Sequence, residues 1–383
     1  MVRLGSRFPI CVVVSLLQVL LFTAPQTEAQ AQKPAPSFAT LSAKAQAARD
    51  ADRLDEAASL YRKALAIRPG WAEGWWSLGT IEYDRSAYRE AAQAFDKLVA
   101  LQPKSGTARV MLGLCQFDLG QEDAALASLQ EGRRLGVPSD AQFRHVMLYH
   151  EGVLLQRKGR FEAAQETLGQ LCRQAPYPPE VNLAMGAVAL RVRDRKLPSG
   201  GTVEFEVMEK SGEATCLGAQ RKYDEARQQF DLLVASHPQY PNLHYGYGKL
   251  LLEANDNAAA VAQFQAEIQN NPNDAISRLR IASAMYRIDS AAGLPYAQEA
   301  VKLDPSLPLG HYLLGLLLLD TDDYLRAIPE LEIAQKSFHD QPKVYFALAS
   351  AYSRAGRTED AARARETFLR LNKGQDSKPG TSD

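Results

Sequence analysis

The 383-residue chain has few of the residues from which compact chemical sites are made: four cysteines, six histidines and three tryptophans. Cys115, Cys172 and Cys216 lie far apart, and no C-x-x-C occurs, which removes the spacing of a zinc knuckle or a dithiol redox motif. Each of the three falls on a predicted helix among apolar neighbours, so buried free thiols are expected, with one disulfide pair as the alternative in an oxidising compartment. His145 and His150 are five apart and do not share a helical face as an i, i+4 metal pair would. Neither sign of charge dominates: 44 basic against 45 acidic residues give a formal net charge of −1, without the basic footprint of a nucleic-acid binder. Apolar runs are short as well, and none reaches the roughly 18–20 residues of a spanning helix.

Reaction motifs are equally scarce. No G-x-S-x-G or H-E-x-x-H is present. Gly248-Lys249 has Leu243 where a phosphate-binding loop needs its first glycine, and Gly246-x-Gly248 lacks the third glycine of a dinucleotide fingerprint. Asp320-Thr321-Asp322-Asp323 looks like the start of a calcium loop but carries Leu325 at the position that needs glycine, so helix capping is the expected role of these aspartates. The expectation is a chain that is not an enzyme and takes no cofactor or metal.

The N-terminus differs from the rest. Arg3 and Arg7 precede an apolar run from Ile10 to Phe22, and small residues follow at Thr27-Glu28-Ala29 and Ala29-Gln30-Ala31. A basic start, a short apolar middle and small residues at −3 and −1 describe a secretory signal peptide over 1–31, with an uncleaved membrane anchor as the alternative. Residues 32–37 read as a flexible leader and 373–383 as a disordered tail. A periplasmic or secreted location is therefore expected.

Between these ends the chain repeats. A small residue recurs as Ala45, Gly79, Gly113, Gly152, Gly186, Ala214, Gly248, Ala282, Gly315 and Ala349, mostly 34 residues apart. An alanine follows as Ala57, Ala91, Ala125, Ala164, Ala226, Ala260, Ala327 and Ala361, and a closing proline as Pro69, Pro103, Pro138, Pro176, Pro238, Pro272 and Pro305. Small residues let two helix axes approach at their crossing, and proline ends the second helix before the next begins. In the unit 72–105, Trp75, Leu78 and Gly79 mark one helical face, and Ala91, Phe95 and Leu98 mark another.

A 34-residue unit with W-x2-L-G, then A-x3-F, then P resembles the tetratricopeptide repeat. The match runs through Trp75, Leu78, Gly79, Ala91, Phe95 and Pro103, then Tyr247, Gly248, Leu251, Ala260, Phe264 and Pro272, with weaker copies around Gly315 and Ala349. The resemblance implies an all-α fold, a right-handed superhelical solenoid of antiparallel helix pairs over 38–372. Its units would lie near 38–71, 72–105, 106–139, 145–178, 203–240, 241–274, 275–307, 308–341 and 342–372. A single unpaired helix at 179–193 and a linker at 194–202 would interrupt them, and Gly293-Leu294-Pro295 would delay one second helix.

In that family the first helices line a concave groove, which implies a protein partner held as an extended or helical segment, with homo-oligomers also open. Trp75 and Trp76 point about 100° apart. If Trp75 packs inward, as do His244 and His311 at the same register, Trp76 faces the groove. The implied partner-binding residues are Trp76, Tyr83, Val110, Leu114, Phe117, Tyr149, Tyr245, Tyr286, Tyr312, Leu316 and Phe346. Asp84, Asp118, Arg157, Lys249, Glu253, Arg287, Asp320, Lys343 and Arg354 would line the edge. The alternative is that these aromatics pack on the neighbouring repeat. Alanine at Trp76, Tyr83 and Phe117 should abolish capture and spare helical content if the groove reading holds. The expected function is an extracytoplasmic scaffold or adaptor, or else an accessory subunit positioning an envelope enzyme.

Overall fold

A computed structural model describes residues 36–376, except 139, 175, 195 and 287. The signal segment 1–31, the first four residues of the leader, Arg287 and residues 377–383 lie outside the described residues. Nineteen α-helices, and no strand, make up the described part. Four helical hairpins come first: α1 (Phe38–Asp50) with α2 (Leu54–Ile67), α3 (Ala72–Asp84) with α4 (Tyr88–Leu101), α5 (Gly106–Asp118) with α6 (Glu122–Leu135), and α7 (Ala141–Arg157) with α8 (Phe161–Cys172). Next come α9 (Glu180–Ala189), α10 (Val203–Ala219) and α11 (Tyr223–Ser236). Four further hairpins complete the stack: α12 (Leu243–Glu253) with α13 (Asn257–Asn270), α14 (Ala275–Met285) with α15 (Ser290–Leu303), α16 (Pro308–Asp320) with α17 (Tyr324–Ser337), and α18 (Pro342–Arg354) with α19 (Thr358–Asp376).

The recurring small residues sit where the pairs cross. A β-carbon on Gly79 would come within 2.8 Å of the Phe95 ring, one on Gly248 within 2.7 Å of Phe264, and one on Gly315 within 2.6 Å of Leu331. The alanines of the second helices, such as Ala91, Ala125 and Ala164, are fully buried against the same crossings. Each hairpin's helices thus bury their apolar stripes on each other and on the next pair, as a stack of repeats requires.

Two local devices recur along the stack. The first is the turn inside the pair, where one residue adopts the left-handed conformation: Asp52, Ser86, Gly120, Gly159, Arg221, Asn255, Asp322 and Gly356. One residue further on, an amide donates to the carbonyl five residues back, as in Ala87 N–H to Glu82 O at 2.8 Å, which closes a Schellman-type cap. The second pins the turn between pairs. Trp75 Nε1 donates to Pro69 O at 2.7 Å, His244 Nε2 to Pro238 O at 3.0 Å, His311 Nε2 to Pro305 O at 2.9 Å, and the Tyr345 hydroxyl to His339 O at 2.9 Å. In these four units the Trp75 register carries an N–H or O–H whose tip satisfies a carbonyl.

Three expectations are corrected. The segment at 179–193 is not an unpaired helix. After α9, Arg191 takes the left-handed turn and Val192 N–H reaches Ala187 O at 2.8 Å, the same cap that opens a second helix elsewhere. The following stretch, with Leu197-Pro198-Ser199-Gly200-Gly201, cannot continue as helix. Instead α10, capped by Thr202 through Phe205 N–H at 3.1 Å, folds back antiparallel onto α9. Backbone meets backbone there: β-carbons on Gly186 and Gly212 would lie 1.8 Å from Met208 O and 1.7 Å from Asn182 O.

Second, Cys172 and Cys216 are joined by a disulfide that ties the end of α8 to α10, so among the described residues only Cys115 is a free thiol, and it is buried. Burial pushes the Cys115 thiol up to about 12, with Asp118 adding to the effect, so it stays protonated. Third, α15 is not delayed. It begins at Ser290, capped by Asp289 through Ala292 N–H at 3.0 Å, and contains Pro295. At the C-terminus the helical part of the expected tail extends to Asp376.

Candidate functional site

The first helices of the last three units carry their stripes in matching register. Ile276, Leu309 and Lys343 occupy the first turn of α14, α16 and α18, and Leu279, Tyr312 and Phe346 the next position along. Arg280, Leu313 and Ala347 follow, then Ser283, Leu316 and Ser350. Tyr286, Leu319, Asp320 and Arg354 form the far rim. All of these line one open cavity of about 860 Å³ on the concave side. Phe368 of α19 closes one end, where its ring lies 5.6 Å from that of Phe346, and Glu162 of α8 closes the other.

Most of the cavity's charge is already engaged. Arg280 Nη2 donates to Glu162 Oε1 at 2.5 Å and contacts the Tyr245 hydroxyl oxygen at 3.4 Å. Burial pushes the Glu162 carboxyl up, but Lys249 and Arg280 more than reverse this and hold it below the usual range. Arg354 Nη1 donates to Leu319 O at 3.0 Å and to Asp322 at 2.9 Å, while Asp320 accepts from the Ser290 hydroxyl at 2.8 Å. Two large apolar side chains remain in solvent at the near rim, Leu309 at 53% and Phe346 at 62% exposure.

Glu162 reaches the cavity because the N-terminal end of α8 crosses the bore of the solenoid. Gln165 donates to Glu253 Oε1 at 2.8 Å and accepts from Lys249 Nζ at 2.5 Å. Arg191 lies 3.5 Å from Asp274 and 5.0 Å over the Tyr245 ring. Burial lowers the Lys249 pKa and raises that of Glu253, the mark of charged groups largely removed from water.

Of the eleven groove residues read from the sequence, Tyr286, Tyr312, Leu316 and Phe346 line the cavity, together with the edge charges Asp320, Lys343 and Arg354. Val110, Leu114 and Tyr245 are buried in the core and are corrected: no partner can reach them. Val110 fills the gap over Gly132, Leu114 packs with Leu126 and Met147, and Tyr245 lies beneath the polar bridge. The remaining four are half-buried in contacts within and between repeats. Trp76 stands edge-on to Phe95 at 5.7 Å, the Tyr83 hydroxyl donates to Asp118 at 3.4 Å, and Phe117 is T-shaped on His150 at 4.7 Å with Arg157 over it at 5.0 Å. Tyr149 also lies against His150, at 5.5 Å. Along α3, α5 and α7 the concave stripe is thus an aromatic ladder between repeats.

Leu309, Leu313, Arg280 and Glu162 line the cavity but escaped the sequence reading. The first three were detectable as the flanking positions of the same helical stripe, whereas Glu162 had no local signal. Of the four aspartate-motif residues, Asp323 caps α17 through Arg326 N–H at 3.3 Å, whereas Asp322 takes the left-handed turn and Asp320 faces the cavity. Among the described residues no group of three or more His, Cys, Asp or Glu is placed to hold a metal ion, and no helix is long and apolar enough to cross a membrane.

Residues 42–106, 77–136, 212–275 and 312–371 match the family described as tetratricopeptide repeat, together more than half of the chain. Anaphase-promoting complex subunit 3 of Schizosaccharomyces pombe is 24% identical over 278 residues, covering 69% of this chain. The chain spans 40% of the length of that curated relative. Among solved structures, MamA from Desulfovibrio magneticus RS-1 shares 21% identity at a TM-score of 0.40, covering 44% of this chain and 98% of its own. YrrB, described as a TPR protein with an unusual peptide-binding site, shares 13% at a TM-score of 0.39, covering 43% of this chain and 84% of its own.

Proposed function

The chain belongs to the tetratricopeptide repeat family, and from that premise we propose that it is an extracytoplasmic scaffold that holds a segment of a protein partner in the cavity formed by α14, α16 and α18. The observation that carries this reading is the cavity itself: an apolar concave floor of Leu279, Leu313, Leu316 and Leu319, open to solvent, with Leu309 and Phe346 standing uncovered at its rim. Exposed apolar surface of this kind gains free energy when a partner covers it, and two anchor positions in a preformed concavity suffice to position a short segment. Placement outside the cytoplasm is supported by the basic-then-apolar N-terminal pattern and by the Cys172–Cys216 disulfide, since such bonds persist where reducing systems are absent.

Phe346→Ala tests the first part, because a side chain this exposed contributes little to the solenoid's own packing. Affinity capture from envelope extracts with the intact protein should recover a partner that Phe346→Ala and Leu316→Arg fail to hold at unchanged helical content. Equal capture by both folded variants would remove the cavity from the function. An enzyme as the captured partner would assign the accessory role. The compartment is tested by fractionation and by mass spectrometry of the mature N-terminus, for which cleavage after Ala29 or Ala31 is expected; an uncut chain recovered from the cytosol would refute export.

A further inference from the structure

We propose that the segment held in the cavity carries an aspartate or glutamate next to its apolar anchors, and that Lys343 receives that carboxylate. The inference rests on the reading of the cavity as a protein-binding site and adds the chemistry of the partner.

The argument is one of unmatched charge. Glu162 neutralises Arg280 at the closed end of the cavity. On the far rim Arg354 is held by Asp322 and the Leu319 carbonyl, and Asp320 brings the opposite sign to the same side. Lys343 lines the near rim, is exposed, and has no ion pair or hydrogen bond among the described residues. Among the described residues it is the cavity's one cation without an ion pair, and Asp320, on the opposite rim, is engaged by the Ser290 hydroxyl.

Its position makes that charge matter. Lys343 lies in the first turn of α18, one turn before Phe346 on the same face, and Leu309 holds the equivalent place on α16. Leu309 and Phe346 are the two exposed apolar side chains of the cavity, and Phe368 holds the Phe346 ring in place. A segment that covers both is thereby brought against the lysine. Covering an ammonium group without a counter-charge costs free energy, and a basic segment would add repulsion. A carboxylate set one helical turn or a few extended residues from the anchors answers both.

The test is selection of random twelve-residue display peptides on the intact protein, with counter-selection on the Leu316→Arg variant to retain cavity-dependent binders. Circular dichroism and the thermal midpoint confirm that this variant is folded, and Phe346→Ala, exposed enough to spare the core, repeats the counter-selection. The selected peptides should pair two large apolar residues with an Asp or Glu. Changing that residue to Asn or Gln should weaken binding about two- to fivefold, as for a solvent-edged ion pair, and the difference should shrink with added salt. Lys343→Glu should lose affinity for the same peptides and prefer versions with lysine in place of the acid. Cavity-dependent peptides with no acidic preference, or equal binding by Lys343→Glu, would overturn the carboxylate inference and leave the binding site standing. If no selected peptide depends on Leu316 or Phe346, both readings fall together.

Discussion

Replacing Gly212 by alanine gives opposite results for a solitary α9 and for an α9 clasped by α10. In an uncrowded helix the change stabilises by up to about 1 kcal/mol, because alanine loses less backbone entropy on folding and forms helix better. At the observed crossing, the new β-carbon would sit 1.7 Å from the carbonyl oxygen of Asn182 and 2.7 Å from the amide of Gly186. Both neighbours are backbone, so no rotamer change relieves the clash. To reach even a tight contact of 3.0 Å the helices must move apart by about 1.3 Å, against a disulfide that ties α10 to α8. Overpacking of this kind costs typically 1–3 kcal/mol, and the upper end applies where the neighbour cannot yield, which outweighs the propensity gain. We expect a net loss of about 2 kcal/mol or more in urea titration followed by far-UV circular dichroism. Because each repeat is held mainly by its neighbours, the transition should also broaden or split at this joint. Gly200→Ala, with nothing within 4 Å of its β-carbon, should change stability by no more than about 0.5 kcal/mol. A Gly212→Ala protein as stable as the parent would refute the clasp.

Other outcomes follow from the same geometry. Alanine at Trp76, Tyr83 or Phe117 should cost roughly 2 kcal/mol each, since these rings are half-buried between helices, and the folded variants should still capture a partner at the distant cavity; loss of capture at full stability would restore them to a groove. Thiol titration of the denatured, unreduced protein should find Cys172 and Cys216 blocked, and reduction should cost up to about 4 kcal/mol for a closure of 44 residues; two further free thiols before reduction would refute the bond. Glu151 is fully buried, and burial raises its pKa more than Arg133, 3.1 Å away, lowers it. A raised carboxyl favours the fold most below the ordinary glutamate range, and that advantage is lost as pH rises through the folded-state pKa. Glu151→Gln should therefore gain stability over the parent between mildly acidic and neutral pH and lose that gain in acid; the opposite trend in thermal midpoint against pH would contradict the assignment.

The helical pairs were legible because their marks are local. Gly79 and Phe95 meet sixteen residues apart, so the spacing of small and large residues records a contact directly, and the turn and the proline repeat with it. The α9–α10 clasp was not legible, because the small residue that keeps the register, Ala214, marks the α10–α11 pair and not the crossing onto α9. Ala214 keeps the approximate period, yet the backbone contact falls on Gly212, two residues earlier. The disulfide was hidden for the same reason: once α10 lies on α9, Cys216 meets Cys172, but nothing near either cysteine predicts that folding back. Of the stripe, Tyr286, Tyr312, Leu316 and Phe346 line the open cavity. The same positions at Val110, Leu114 and Tyr245 are buried, although their residue types are no more apolar.

At Tyr245 that difference has a cause in the fold. Two first helices, α9 and α10, follow one another without the second helix that should separate them, and α10 serves both as partner to α9 and as first helix to α11. The stack tightens there until the start of α8 lies across α12 and α14, bridged through Gln165, Lys249 and Glu253 and through Glu162 and Arg280. Apolar residues at these points would also have sealed the bore, but without directional bonds to set which side chains meet. Lys249 and Arg280 face Glu162 and Glu253 in matched number, so their desolvation is offset only when α8 sits in one register against α12 and α14. The bridge therefore closes the concave surface at the point where Glu162 stands, and the open cavity begins on its other side. In a stack without the α9–α10 crossing the stripe would line a continuous groove; in this chain it is divided, and the part left open is the part whose anchors, Leu309 and Phe346, remain in solvent.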